Sequence, residues 1–277
     1  MINLAKKTKR KLMQLYVNVT ELPMREIEKK VARKIEIQNR EIPAVVYQTW
    51  INNLFGKTHA ANIRKFRDLN PDMEFNLFDT QDLDSYMKKS WGEHPIYTIY
   101  KNAKFGPMKA DIFRYCILYE RGGYYFDIKG CCSIPISEIC PATHDGLIAY
   151  ESCDCSLPPD AECLSKINET TKYVVQWAMG FSKGHKVLEK MIESICLDYP
   201  FYKGRVFSDP KLAILAFTAT GKFTRVVREE IGMGSHTNIY QAGIDFHGHG
   251  VYSMKGAEVR FISSPAYTNY KNSVIVS

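Results

Sequence analysis

The sequence contains no run approaching the roughly 18 to 20 consecutive apolar residues that a bilayer-crossing helix needs, and its N-terminus lacks the apolar stretch of a secretory signal. A soluble chain is expected. Cysteine is present at eight positions (116, 131, 132, 140, 153, 155, 163 and 196) but never as Cys-x-x-Cys and never with matching histidines. That spacing disfavours a zinc site and suits the reduced thiols of a cytosolic enzyme, some buried as small hydrophobes. No internal repeat or low-complexity tract occurs. Acidic excess is missing too: 37 Lys and Arg against 30 Asp and Glu give a formal net charge of +7. Such a balance suits a phosphate-bearing ligand or an anionic membrane surface. No nucleic-acid reading module accompanies the charge, so nucleic acid is not an expected partner.

Most of the basic excess lies before Ile42, in Lys6, Lys7, Lys9, Arg10, Lys11, Arg25, Lys29, Lys30, Arg33, Lys34 and Arg40. Scattered apolar residues among these charges predict a basic amphipathic helical extension over residues 1–41, ended by Pro43. It reads either as helices packed on the domain or as a peripheral membrane contact, which would place the protein on the inner face of the cell membrane. The expected main domain covers residues 42–277. Within it "PAVVYQTW" predicts a buried strand, "HAANIRKFRDLNPD" a helix and "MEFNLFD" a second strand. Asp79 offers an N-cap for the helix "TQDLDSYMKK". "GPMKADIFRYCILYERGG" is a helix with an early proline and a glycine stop, and "YYFDI" a strand. This order predicts an α/β domain with a largely parallel sheet, whose ligands bind beyond the carboxyl ends of the strands.

The most informative stretch is "ERGGYYFDIKGC", residues 120–131. If the strand continues through them, Asp127 and Lys129 point to the same face at its carboxyl end. Alone, that is an ordinary surface ion pair. Asp111 and Arg114, at i, i+3 on the preceding helix, form a second candidate pair.

"QTW" (Gln48, Thr49, Trp50), "NPDMEFNLFD", "KADIFRYCILYERGGYYFD" and "GHKVLEKMI" together resemble the glycosyltransferases with a DXD-containing sugar-binding region, glycosyltransferase family 32. The likeness is dense from Ile42 to about Pro135 and thin from Trp177 to Thr224. It implies a GT-A fold, a Rossmann-like nucleotide-binding domain with a mostly parallel sheet. It further implies retaining transfer of a hexose from a nucleotide sugar, UDP- or GDP-linked, to a glycan or glycolipid acceptor. Implied donor-site residues are Gln48, Thr49, Trp50 (stacking on the base), Asp111, Arg114, Gly123, Tyr125 and Asp127, with Asp127 the first acid of the DXD.

Lys129 departs from the pattern, since the motif here reads Asp-Ile-Lys. The second acid of a DXD is normally the ligand of a divalent metal, Mn²⁺ or Mg²⁺, that neutralises the departing diphosphate. Three arrangements stay open. Lys129 supplies that charge itself, which makes Asp127, Lys129 and Arg114 the catalytic set; or Asp127 holds a metal with Asp245, His247 or His249 from the tail, where "HGHG" puts both rings on one side of an extended segment; or the site binds without catalysis. Asp209 and the Thr220-Gly221 turn, with Lys222 in place of the family's proline, are candidates for the acceptor side. An N-cap and an ordinary turn are the plainer readings of these last residues.

Overall fold

The computed structural model describes residues 20–36, 39–234, 238–259 and 270–277. Its first half runs β1 (Arg25–Glu26), β2 (Lys30–Val31), β3 (Val45–Thr49), β4 (Leu54–Phe55), α1 (Lys57–Leu69), β5 (Glu74–Phe78), α2 (Thr80–Trp91), α3 (Pro95–Asn102) and α4 (Gly106–Arg121). Then come β6 (Gly123–Phe126), β7 (Cys131–Cys132), α5 (Ile136–Ile139), β8 (Gly146–Asp154), β9 (Lys172–Val174) and β10 (Ala178–Phe181). The last stretch holds α6 (Lys186–Tyr202), β11 (Val206–Phe207), α7 (Pro210–Phe217), α8 (Thr220–Gly232), β12 (Ile239–Ile244), β13 (Gly250–Val251) and β14 (Ser273–Val274).

The central sheet has the order β12-β8-β10-β6-β3-β5-β2, with β9 paired to β8. Strands β12, β8, β6, β3 and β5 run in one direction, while β10 and β2 are reversed. The expected α/β domain with a mostly parallel sheet is therefore what forms, interrupted by β10. Tyr47, Tyr125 and Met179 face a core shared with α4, α6 and α8. Val46, Phe126 and Phe66 build the opposite core with Trp177 and Phe246. Among the described residues no helix is long and apolar enough to cross a membrane.

Local chemistry sets the element ends. Asp79 caps α2 by accepting from the amides of Gln81 and Asp82, both at 3.0 Å, and the Asp82 carboxylate returns a bond to the Asp79 amide. Helix α4 stops at Gly122, whose φ of 68° and ψ of −179° lie in a region open essentially to glycine alone. Gly123 follows at φ 112°, and a Cβ there would lie 2.7 Å from the Val45 carbonyl oxygen. A double glycine is what lets helix turn into buried strand in so few residues.

The N-terminal arm differs from expectation. Residues 1–19 and 37–38 lie outside the described residues, but 21–36 are extended rather than helical, with β1 paired to β4 and β2 added antiparallel at the β5 edge. An edge strand carrying Lys30 satisfies its backbone through the sheet while its charges stay in solvent, so its composition mimics an exposed helix.

Candidate active site

The chemistry collects where β6 stops. Asp127 to Gly130 form a turn in which the Gly130 amide donates to the Asp127 carbonyl at 2.7 Å. The strand does not continue through Asp127 and Lys129, as the alternation argument supposed. The turn instead folds Lys129 back, leaving its Nζ 3.9 Å from Asp127 Oδ2 and 3.4 Å from the centre of the Tyr252 ring. A Cβ on Gly130 would meet the Trp177 ring at 2.7 Å, so only glycine permits this tightness.

Arg114 is the hub. It is buried, and its Nη2 lies 3.3 Å from both Asp111 Oδ1 and Asp127 Oδ1. Its Nη1 donates to the Gln176 carbonyl at 2.7 Å, its Nε to the Ala110 carbonyl at 3.3 Å, and its plane lies 4.4 Å from the Tyr125 ring centre. Tyr125 Oη donates to Asp127 Oδ1 at 3.2 Å. On the far side, Thr218 Oγ1 donates to Asp111 Oδ2 at 3.0 Å, and the Thr218 carbonyl accepts from Tyr115 Oη and Gln176 Nε2.

Burial and charge pull differently on the two partners. Asp111 is pushed up to about 7, because loss of solvent outweighs the favourable Arg114 charge and the Thr218 bond. Burial opposes the charge on Arg114 as well, but Tyr125, Asp127 and Asp111 together hold it above its ordinary value. One guanidinium faces two carboxylates, so the cation is over-supplied with partners and Asp111 shares its own. The resulting site is a dry, pre-set carboxylate and guanidinium pair opening onto Asp127 and Lys129, whose side chains are 25% and 14% exposed.

Residues 56–145, from just before α1 to just before β8, match the family described as the glycosyltransferase sugar-binding region containing a DXD motif. Over this segment the chain is similar to the glycosyltransferases of family 32. Inositol phosphoceramide mannosyltransferase 3 of Schizosaccharomyces pombe is 25% identical over 159 residues, 57% of this chain and 38% of that protein. The initiation-specific alpha-1,6-mannosyltransferase of Candida albicans is 24% identical over 171 residues, 57% of this chain and 43% of that one. The chain thus spans about two fifths of the length of these curated relatives. A solved structure, the PaToxG glycosyltransferase, aligns over 83% of this chain and 79% of that one at 14% identity, with a TM-score of 0.48.

Against the family 32 pattern, the structure brings Asp111, Arg114, Tyr125, Asp127 and Lys129 together. Trp50 sits half-buried against the cluster that holds Ile128 and Met254, beside the turn. Gln48 is fully buried on the face opposite Asp127, following Val46 in the strand alternation, and among the described residues neither of its amide atoms has a hydrogen-bond partner. Thr49 donates to the Phe78 carbonyl at 3.1 Å and so ties β3 to β5. Gly123 is not at the site: it begins β6, at the end away from Asp127, and its role is the turn from α4. Lys222 is buried on α8 in an ion pair with Asp198 at 2.7 Å. Thr220-Gly221 opens that helix rather than forming a turn, and Asp209 caps α7 through the amides of Lys211 and Leu212.

The tail residues take other partners. Asp245, Phe246 and His247 have φ of 46°, 56° and 55°, a left-handed turn rather than the extended segment expected for "HGHG". The two histidine rings diverge, His247 to Tyr240 Oη at 3.3 Å and His249 to Ser133 Oγ at 3.2 Å. Burial raises the Asp245 carboxyl. A DXD family implies a divalent metal, yet Asp127 has Arg114, Tyr125 and Lys129 on its two oxygens. Among the described residues no group of three or more His, Cys, Asp or Glu side chains gathers to hold an ion. As arranged, these residues do not fit a metal at Asp127.

Sequence reading missed four contributors. Thr218, Tyr115 and Gln176 lock Asp111 and Arg114 from elements distant in the chain, and Tyr252 lies under Lys129. Glu151, ending the buried part of β8, is a fifth neighbour. Burial raises its pKa, with Asp245 pushing the same way and Lys129 opposing. Only Glu151 left a trace in the sequence, an acid at the carboxyl end of a strand.

Proposed function

We propose that the protein is a retaining hexosyltransferase that moves a hexose from a UDP- or GDP-sugar to a glycan or lipid-linked saccharide, of cell-surface polysaccharide or lipopolysaccharide type. The observation that carries this reading is the buried Arg114 held between Asp111 and Asp127 beyond the carboxyl end of β6. A carboxylate and a forked donor with fixed geometry suit the alternating donor and acceptor hydroxyls of a sugar. The mannosyl activity named in both relatives makes mannose the first hexose to test. In the reaction the C1–oxygen bond to the diphosphate breaks, its electron pair leaving with the nucleotide. The acceptor hydroxyl passes its proton to the departing diphosphate and forms the new C1–oxygen bond. Lys129 meets the charge that develops on the departing diphosphate. The net charge of +7 favours a cytoplasmic place of action at the inner membrane face.

Lys129 at the position of the family's second acid favours one other reading, a nucleotide-sugar or glycan-binding protein without turnover. Incubation with a panel of UDP- and GDP-hexoses, in Mn²⁺ and separately in EDTA, with nucleotide release as readout, separates the two. Release in EDTA is expected. Saturable donor binding with no release, even with oligosaccharide acceptors added, favours the binding protein. Absence of binding by any donor and by the oligosaccharides refutes both.

A further inference from the structure

A second surface lies outside the donor site. Between α6 and α7 four large apolar side chains stand in solvent: Leu197 (78% exposed), Phe201 (58%), Val206 (60%) and Leu212 (63%). Leu197 and Phe201 are i, i+4 on α6 and so share a face. Val206 begins β11 and Leu212 lies in the first turn of α7, so all four fall within one continuous stretch of chain. Isolated exposed apolar residues need no explanation, but a cluster of this kind marks an interaction site.

Charge identifies the partner. Lys203, Arg205 and Lys211 alternate with the apolar residues and are exposed, and none has a carboxylate partner among the described residues. Arg205 lies 4.3 Å from the centre of the Phe201 ring, and Lys203 lies 5.7 Å from that of Tyr199. The acids of the same stretch are neutralised, Asp198 by Lys222 and Asp209 by Lys271. Exposed apolar side chains interspersed with cations that have no carboxylate partner among the described residues, two of them over aromatic rings, are complementary to an anionic bilayer surface.

Topology fixes where this surface lies. Strand β10 is antiparallel to β6, so Phe181 ends beside Gly123, at the edge away from Asp127. Helix α6 returns from there: the Gly184 amide donates to the Tyr119 carbonyl, at the end of α4. After 17 residues α6 finishes at the opposite edge, where Val276 bridges Lys203 and Ala103, and the Lys104 amide donates to the Ile275 carbonyl just before α4 begins. The apolar and cationic surface therefore lies at the edge of the domain where β6 delivers Asp127.

We infer that the α6–α7 edge is a membrane-docking face that seats the domain on anionic phospholipid with its active-site edge toward the bilayer. It does not depend on the transfer reading, nor on residues 1–19. The test is co-sedimentation of the full chain with phosphatidylcholine vesicles with and without phosphatidylglycerol. Binding is expected only to the anionic vesicles and is expected to weaken with salt. Each of Lys203→Ala, Arg205→Ala and Lys211→Ala is expected to weaken binding roughly fivefold, the effect of one cation near such a surface. The triple variant Leu197→Asp, Phe201→Asp, Leu212→Asp is expected to abolish binding while its thermal unfolding stays that of the wild type. Three results overturn the inference: unchanged vesicle binding by the triple variant; binding that disappears only when residues 2–19 are deleted; or light scattering that shows a dimer which the triple variant breaks, which assigns the face to a second copy of the chain.

Discussion

Replacing Lys129 by Met removes one charge while nearly keeping volume, and its outcome is set by geometry. The ammonium lies 3.9 Å from Asp127 Oδ2, and its side chain is only 14% exposed. A unit charge at about 4 Å in an effective dielectric near 20 is worth about 4 kcal/mol, and half of that where water screens the pair. A diphosphate seated beside Lys129 at that range gains a similar amount, most of it as the leaving group takes up charge. Loss of about 2 to 4 kcal/mol of transition-state stabilisation is roughly a 30- to 1,000-fold fall in kcat. Because the charge develops during bond breaking, kcat should carry the change and KM little of it. Lys129→Arg should recover part of the rate, since a guanidinium keeps the cation over Tyr252. The assay is steady-state nucleotide release in EDTA. A Lys129→Met enzyme within about threefold of wild type, or one altered only in KM, refutes the argument that Lys129 acts on the leaving group. Lys129→Asp adds a sharper contrast: it should be slower still in EDTA, and a Mn²⁺-dependent gain above wild type would show a metal site lacking only one ligand.

Two further outcomes follow from the packing. The Asp111 carboxyl keeps its proton in the folded state up to about pH 7, whereas the unfolded chain releases it near the ordinary carboxylate value of 3.8. As pH rises through that window the unfolded state loses the proton first, so this group's contribution to stability is full below the window and lost on passing through it. Asp111→Asn should therefore flatten the fall in urea midpoint between about pH 5 and about pH 7, and parallel pH dependences in wild type and variant would refute the assignment. In Gly180→Ala the new Cβ would meet the Tyr124 ring at 2.5 Å, and that ring is held by Arg40 Nη2 at 3.3 Å from its hydroxyl. A destabilisation of about 1 to 3 kcal/mol is expected in denaturant titration; a neutral variant would mean that β10 and β6 separate more easily than their pairing shows.

The strands and helices that carry the site were legible because their signals are local. Asp79 caps where a cap was expected, Gly122 stops α4, and the apolar runs of β3 and β6 are buried on both faces. Asp111, Arg114 and Asp127 stood out through the resemblance of the segments around them to family 32, since spacing alone reads them as ordinary ion pairs. The arm from Glu21 to Glu36 was misread because a charged edge strand and an exposed helix have the same composition. Thr218 and Gln176 were invisible for a different reason: each reaches Arg114 or Asp111 only after α4, β10 and the α7–α8 junction pack together. Lys129 sits beside Asp127 as expected, though through a turn that Gly130 alone could have announced.

Arg114 has a consequence for the heat of binding. Its guanidinium is already fixed by two main-chain carbonyls, two carboxylates and an aromatic face before any donor arrives. A sugar entering the site finds this side chain with little rotational freedom left to surrender. Calorimetry of donor binding should then show a smaller entropic penalty than a site whose arginine must be ordered by its ligand. A lysine at the same position, with a flexible stem and no fork to hold, would restore that penalty even where the charge is conserved.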